Sequence, residues 1–168
     1  MAESLTTIRR VQADEVEAFR RIRLEALRTE PSSFASSYED WEGLSDEEWR
    51  QRLADPVFIA FRNSEPVGIS GVLRQRPSRM VHRATIVMVY VRQNLRGTGL
   101  AATLLGAVTD HARDIGIRQL ELTVSAENPA AIRFYHRQGF SEFGRIPGGT
   151  LRDGREVDDV LMVRRLTE

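Results

Sequence analysis

The stretch RGTGLA, residues 96–101, joins a run of apolar β-forming residues to a stretch with helical periodicity. The run before it is IVMVYV, and the stretch after it places Leu100 and Leu104 on one face of a helix. Two glycines at such a junction let the backbone approach a ligand closely, and the unpaired first-turn N–H groups and the positive end of the helix dipole face that ligand. The pattern therefore predicts an anion site at Gly97 and Gly99, with a purely structural tight turn as the alternative.

The same glycines also satisfy a dinucleotide-binding fingerprint, Gly97-x-Gly99-x-x-Ala102, with Glu121 near the spacing of a ribose-binding carboxylate. In that fingerprint the strand runs directly into the first glycine, whereas the polar stretch RQNLR intervenes here. Glu121 also falls near the start of its strand, and too few residues follow Ala102 for the repeated βα units of a doubly wound domain. A nucleotide-dependent oxidoreductase is therefore the weaker hypothesis.

The composition argues against several kinds of chemistry. The 168 residues include no cysteine and no lysine, so a thiolate nucleophile, a Walker A lysine and a Schiff base are excluded. The formal net charge is zero, which predicts neither a nucleic-acid partner nor an anionic membrane partner. His82, His111 and His136 lack the spacing of metal ligands, so we expect no metal site. Without a signal-peptide core in MAESLTTIRR or an apolar run of about 20 residues, we expect a cytoplasmic protein.

Hydrophobic patterns and turn residues in the N-terminal half predict two helices among antiparallel strands. A short strand over TIRRV leads into a helix that Asp14 caps and Pro31 stops. After a loop, Ser45 and Glu48 form the capping box of a second helix, which Pro56 closes. Strands are then expected over VFIAFR, VGISGVLRQ and MVHRATIVMVYV, separated by turns.

The C-terminal half predicts one parallel crossover and a closing hairpin. The third of those strands, the helix GLAATLLGAVTDHARDIG ended by Gly116, and the strand LELTV make one right-handed parallel unit. Asn128 and Pro129 start a further helix that Gly139 ends, and two strands turn at a DG dipeptide. We therefore predict a mixed α+β fold in a single domain over residues 1–168. Its central sheet is mainly antiparallel with one parallel βαβ crossover, and helices cover both faces.

The order of these motifs resembles the GNAT superfamily of acyl-coenzyme A dependent N-acetyltransferases. Arg96-Gly97-Thr98-Gly99-Leu100-Ala101 matches the family's phosphate motif, IVMVYV resembles its fourth strand, and ENPAAIRFYHRQGF resembles its asparagine-tyrosine helix. The first helix and the DG hairpin match as well, so the resemblance covers nearly the whole chain. It implies acetyl-CoA as cosubstrate, fourth and fifth strands that splay apart to admit it, and a homodimer through the C-terminal strands.

The resemblance also implies which residues bind the cofactor. The amides from Gly97 to Ala101 would bind the pyrophosphate, and the backbone of Val89 and Val91 would pair with the pantetheine arm as an added strand. Asn128, besides capping its helix, would contact the pantetheine. The implied cofactor-binding set is Val89, Tyr90, Val91, Arg96, Gly97, Thr98, Gly99, Leu100, Ala101 and Asn128.

Tyr135 is the candidate catalytic residue on the same grounds. It lies seven residues after Asn128, about two helical turns, so both can face the same side of the helix. The resemblance implies that Tyr135 gives a proton to the departing thiolate and that the backbone N–H of Val89 stabilises the oxyanion. A core aromatic residue is the alternative interpretation of Tyr135.

The general base is left open by the sequence. Many relatives carry a Glu on the fourth strand, but the corresponding strand here has no carboxylate. His82, at the start of that strand, could act through a water, since an ordinary histidine pKa of about 6.5 suits the task. Glu39, in an acidic run with Asp40 and Glu42, could attract a cationic amine, although a solvated surface explains the run equally well.

The resemblance implies an N-acetyltransferase that transfers an acetyl group from acetyl-CoA by direct attack to the primary amine of an acceptor, a small molecule or alternatively a peptide. The alternative is a catalytically silent domain on the same fold that binds or senses acyl-CoA. Tyr135 favours the enzyme, because a domain that only binds has no need of an acid beside the sulfur.

Overall fold

A computed structural model describes residues 5–166 of the chain. The strands are β1 (Thr6–Arg10), β2 (Val57–Arg62), β3 (Glu65–Arg74), β4 (Arg83–Val91), β5 (Gln119–Ser125), β6 (Ser141–Arg152) and β7 (Arg155–Arg165). The α-helices are α1 (Val16–Thr29), α2 (Tyr38–Glu42), α3 (Asp46–Gln51), α4 (Leu100–Asp114) and α5 (Pro129–Arg137). None of the helices in this range is long and apolar enough to cross a membrane.

One sheet contains all of these strands, in the order β1-β2-β3-β4-β5-β7-β6. Each neighbouring pair is antiparallel except β4 and β5, which are parallel and are linked through α4. The predicted mixed α+β fold with one parallel crossover is therefore confirmed. The DG dipeptide also makes the predicted hairpin turn, since Asp153 and Gly154 have φ values of 52° and 76° between β6 and β7.

Two hydrophobic cores lie on opposite faces of the sheet, as the predicted helices on both faces require. The first lies under α4 and α5 and includes Leu104, Val108 and Tyr135. The second lies under α1, α2 and α3 and includes Phe19 and Trp49, whose rings meet edge to face with centroids 5.2 Å apart. Because strand side chains alternate between faces, successive residues over 88–91 of β4 contribute alternately to the two cores.

Three local predictions need correction. Asp14 does not cap α1: it lies inside a 3-10 turn over Ala13–Glu15, where the Glu15 carboxylate accepts a hydrogen bond from the backbone N–H of Gln12 at 3.1 Å. The segment before α3, predicted as a loop, contains α2, which Ser37 caps. The strand expected from Met80 begins three residues later, because residues 80–82 form a turn.

Candidate active site

The turn before α4 has the conformation that the two glycines predict. Gly97 and Gly99 have φ values of 81° and 88°, in the left-handed region that favours glycine, and Gly99 is the residue that caps α4. A Cβ atom added at either glycine would meet nothing within 4 Å. The glycines are therefore required by backbone conformation rather than by crowding, and the space in front of the turn is open to a ligand.

The first turn of α4 presents backbone N–H groups to that space. The first helical hydrogen bond runs from the Thr103 N–H to the Gly99 carbonyl at 3.0 Å, so the amides before Thr103 have no partner inside the helix. The hydroxyl of Thr98 donates to the Leu95 carbonyl at 2.5 Å, which fixes the turn. Free N–H groups at the positive end of a helix dipole can bind an oxyanion such as a pyrophosphate.

Arg96, the first residue of the phosphate motif, is engaged within the protein. Its Nε donates to the Val91 carbonyl at 3.2 Å, and its Nη2 donates to the Glu30 carboxylate at 2.6 Å. These contacts tie the glycine turn to the end of β4 and to the residue after α1. The guanidinium thereby positions the turn, and the amides of the turn are the groups left to meet an anion.

A gap opens between β4 and β5 beside the glycine turn. The parallel pairing covers only Arg83 to Thr85 on β4 and ends with the pair of Thr85 and Glu121. Beyond it β4 continues to Val91, while β5 stays paired with β7 as far as Ser125. The facing edges of β4 and β5 are therefore free to receive an extended ligand as an added strand.

β4 carries a bulge in its pairing with β3. The register with β3 shifts between Val87 and Tyr90, and Met88 has a φ of 57°. A bulge places an extra residue on one strand and turns its backbone and side chains locally. Val89 lies in this bulge, and its side chain packs against the core under α4 and α5.

Tyr90 points away from this gap. Its side chain is buried in the core under α1, and its hydroxyl donates to the Glu25 carboxylate at 2.9 Å and accepts from the Thr29 hydroxyl at 3.2 Å. Burial raises the pKa of Tyr90. Only the backbone of Tyr90 is thus available to a cofactor in the gap.

Asn128 and Tyr135 lie at opposite ends of α5. The Asn128 Oδ1 accepts from the Ala131 N–H at 3.1 Å, which is the predicted N-cap. Tyr135 is 8% exposed, and its ring meets those of Phe134 and Phe140 edge to face. Burial raises the pKa of the Tyr135 hydroxyl, so that hydroxyl stays protonated at neutral pH.

The structure places the sequence-derived candidates for the base far from this gap or on the surface. His82 precedes β4, and seven residues of extended chain, about 23 Å at a rise of about 3.3 Å per residue, separate it from Val89. Glu39 and Glu42 are exposed on α2, and the Asp40 carboxylate accepts from the Ser37 N–H at 2.8 Å. His82 therefore lies at the paired end of β4 and β5, and Asp40 is occupied as part of a helix cap.

Glu121, the carboxylate of the dinucleotide hypothesis, is occupied as well. It accepts hydrogen bonds from Arg83 at 2.5 and 2.7 Å and from Gln119 at 2.8 Å. The hydrogen bond from Arg83 is the main reason that the pKa of Glu121 lies below its usual value. The position and the partners of Glu121 both exclude the ribose-binding role, and with it the Rossmann arrangement.

Two buried charged residues were missed from the sequence. Arg23 is 3% exposed on α1, and Asp159 is 7% exposed on β7. Arg23 shares the buried face of α1 with Phe19, Ile22 and Ala26, so its helical position was the signal that could have found it. Asp159 follows another Asp in a strand of otherwise alternating pattern, which gives no comparable signal.

Asp159, on β7, lies beside the end of β5 that leads into α5. It pairs in register with Ser125, whose carbonyl accepts from the Asn128 N–H at 3.0 Å. The Asp159 carboxylate accepts from the Thr150 hydroxyl at 2.8 Å. A Cβ on Gly149 would lie 2.4 Å from Asp159 Oδ2, so glycine at position 149 leaves room for this buried carboxylate.

Comparison with known proteins agrees with this geometry. Residues 17–140 match the Acetyltransferase (GNAT) family, and the chain belongs to that family. An uncharacterized N-acetyltransferase of Methanocaldococcus jannaschii is 31% identical over 84% of this chain and 63% of its own length. A phosphinothricin N-acetyltransferase of Alcaligenes faecalis is 29% identical over 99% of this chain and 85% of its own length. The chain spans less than two thirds of the length of some of its relatives, down to 40% for a mycothiol acetyltransferase of Brachybacterium faecium.

A solved structure shares the whole architecture. A Salmonella typhimurium structure, described as an acetyltransferase with its cofactor acetyl-CoA, matches with a TM-score of 0.80 at 24% identity. It covers 98% of this chain and 96% of that one. At this identity the likeness establishes the fold alone.

Proposed function

We propose that this protein is an N-acetyltransferase that transfers the acetyl group of acetyl-CoA to the primary amine of a small-molecule acceptor. The observation that carries the proposal is the gap between β4 and β5 directly beside the open glycine turn of α4. In coenzyme A a pyrophosphate is joined to a thin amide-bearing arm. The glycine turn suits the pyrophosphate, and the gap suits the arm. Family membership supports the same cosubstrate.

The residues around the gap supply the binding functions. The amides from Gly97 to Ala101 hold the pyrophosphate, and the backbone of Val89 and Val91 pairs with the pantetheine amides. The Oδ1 of Asn128 is used by the helix cap, which leaves its side-chain NH₂ group to donate to the pantetheine. Acetyl-CoA supplies the thioester, whose carbonyl carbon is the electrophile.

Direct attack requires three further contributions from the chain. The amine nitrogen forms a bond to the carbonyl carbon and gives its proton to the Asp159 carboxylate, and the backbone N–H of Val89 stabilises the charge that develops on the carbonyl oxygen. The carbon–sulfur bond then breaks, and the departing sulfur takes its proton from Tyr135. Asp159 is the candidate that receives the acceptor's amino group, because it is a buried carboxylate on β7 beside the end of β5.

The relatives support a small acceptor. One is named a phosphinothricin N-acetyltransferase, and another, from Salmonella typhimurium, an L-methionine sulfoximine/L-methionine sulfone acetyltransferase at 29% identity. Those acceptors are small amines. We propose the same size class here.

The test is release of CoA thiol from acetyl-CoA in the presence of a panel of primary amines, with an amine-free sample as control. Amine-dependent release is expected from the wild-type protein. The absence of a carboxylate on β4 favours a second candidate, a silent acyl-CoA binding domain. A folded sample that binds acetyl-CoA and acetylates none of the amines would support that second candidate and contradict the first.

A further inference from the structure

Arg23 is a buried cation without a hydrogen-bonding partner. Its Nε and Nη1 are fully enclosed, and neither has a hydrogen-bond acceptor within residues 5–166. Burial, and next the positive charge of Arg52, lower the pKa of Arg23 to about 10, so the guanidinium remains charged at neutral pH. A buried charge that lacks its counter-charge is costly, and such costs are commonly found where a ligand supplies the missing group.

Aromatic rings surround the guanidinium instead of carboxylates. The Arg23 Cζ lies 4.4 Å from the ring centroid of Trp41 and 5.0 Å from that of Phe34. Arg52 lies over the same Trp41 ring at 4.2 Å, which adds a second positive charge. Cation–π contacts offset part of the free energy that the guanidinium loses on leaving water. They do not provide hydrogen-bond acceptors for its N–H groups.

A third guanidinium contacts the segment that carries Phe34. Arg152, at the tip of the β6–β7 hairpin, donates from Nη1 to the carbonyls of Pro31 and Phe34, each at 3.3 Å. Its Nε is also buried without a partner within the described range. Phe34 therefore lies between two arginines that both retain unused N–H donors.

The same hairpin carries the buried carboxylate. Thr150 and Arg152 are two residues apart on β6, so their side chains leave the same face of the strand. Thr150 binds Asp159, which places a carboxylate next to the arginine tip. This face of the hairpin therefore carries the negative charge of Asp159 near the positive charge of Arg152.

We propose that Arg23 and Arg152 bind the carboxylate of the acceptor, and that the acceptor is an amino acid whose amine faces Asp159. This inference rests on the proposed acetyltransferase function and specifies its substrate class. The carboxylate takes the place of the Phe34 ring beside Arg23. It accepts hydrogen bonds from the unused N–H groups of the two arginines. A planar guanidinium is suited to this, because it binds a carboxylate through two parallel hydrogen bonds.

The first test compares L-amino acids with their primary amides as acceptors for acetyl-CoA. We expect the wild-type protein to prefer the best amino acid over its amide by about tenfold or more in kcat/KM. Arg23→Met should reduce that preference about tenfold or more and leave binding of acetyl-CoA unchanged. Arg28→Met is the matched control, since Arg28 is exposed on the same helix, and it should keep the preference.

Stability separates this role from a structural one. Because Met fills the site without a charge, Arg23→Met should leave the melting temperature unchanged or raise it. A structural arginine would lower the melting temperature on substitution and leave the preference intact. That result, or a wild-type protein that treats acids and amides alike, would overturn the inference. Arg152→Met provides a second variant with the same expected loss of preference.

A binding measurement keeps the inference distinct from the proposed function. In the presence of CoA, calorimetric titration with N-acetyl-L-amino acids and their amides needs no turnover. Tighter binding of the acids by the wild-type protein, lost in Arg23→Met, supports the carboxylate site even if no amine is acetylated. Equal binding of acids and amides contradicts the carboxylate site even if other amines are acetylated.

Discussion

Arg83 and Glu121 join β4 to β5 where the parallel pairing stops. The Arg83 Nε and Nη2 donate to the two carboxylate oxygens of Glu121 at 2.5 and 2.7 Å. Glu121 is also in the last pair of the parallel ladder, with Thr85. The ion pair therefore fastens the closed end of the gap that we propose for the pantetheine arm.

Glu121→Gln should destabilise the protein in a pH-dependent way. The hydrogen bond from Arg83 lowers the pKa of Glu121 in the folded protein below the ordinary 4.5, so its stabilisation is present above 4.5 and is lost as the pH falls through the folded value. We expect Glu121→Gln to lower the free energy of unfolding by about 1 kcal/mol at pH 7. Urea denaturation should show the difference shrinking as the pH falls from about 5 to 3.

Glu42→Gln serves as the control for this prediction, because Glu42 is exposed on α2. It should leave unfolding unchanged at both ends of the pH range. If the difference in free energy of unfolding between wild type and Glu121→Gln stayed constant with pH, the ion pair would not be the cause of that difference.

Substitutions at Gly99 should separate backbone strain from ligand contact. Gly99→Ala, Gly99→Gln and Gly99→Glu share the strain of a φ of 88°, which costs about 1–2 kcal/mol of stability in each. Compared with Gly99→Ala, Gly99→Glu should weaken acetyl-CoA binding at least about tenfold, since its charge opposes the pyrophosphate, and Gly99→Gln should weaken it less. Calorimetric Kd values for the three variants provide the check. Equal affinities would mean that the phosphates lie elsewhere.

Tyr135→Phe should lower kcat with little effect on the KM for acetyl-CoA. The ring contacts with Phe134 and Phe140 survive this change, and only the hydroxyl is lost. Loss of a general acid typically costs about a hundredfold or more in rate. Because burial raises the pKa of the hydroxyl, the wild-type rate should show no loss from its ionisation up to at least pH 9, about one unit below an ordinary tyrosine pKa. Steady-state kinetics across pH measure both effects, and an unchanged kcat would exclude Tyr135 as the sole acid.

Asp159→Asn should reduce kcat/KM for the amine about tenfold or more, while acetyl-CoA binding is retained. The matched control is Thr150→Val, which removes the 2.8 Å hydrogen bond to Asp159 but keeps the carboxylate. If Asp159 only holds the hairpin, both variants should impair the protein alike and lower its melting temperature. If it receives the acceptor amine, Thr150→Val should stay close to wild type in kcat/KM.

The sequence was sufficient for the elements whose signals are local. The glycine turn, the DG hairpin and the cap at Asn128 each depend on a few adjacent residues, and each has the expected conformation. Asp14 was a wrong cap because the chain makes a 3-10 turn first, in which Glu15 binds the Gln12 N–H. That choice depends on a competition between two acidic neighbours, which single-residue preferences do not resolve.

The site was less predictable where it depends on distant contacts. Arg23 and Arg152 are 129 positions apart, and both meet Phe34 only because the hairpin folds back over the segment after α1. The position of His82 relative to the gap likewise follows from which end of β4 faces that gap. Neither of these two spatial relationships leaves a local pattern in the sequence. The burial of Arg23 does leave one, because its position on α1 falls on the buried face of that helix.

The most direct test of the account is calorimetric titration of the folded protein with acetyl-CoA and, separately, with free CoA. The account predicts micromolar binding of both, because the pyrophosphate and the pantetheine arm are common to the two ligands. Absence of binding by a sample that circular dichroism shows to be folded would contradict it. The turn at Gly97 and Gly99 would then be structural, and the gap between β4 and β5 would not be a cofactor site.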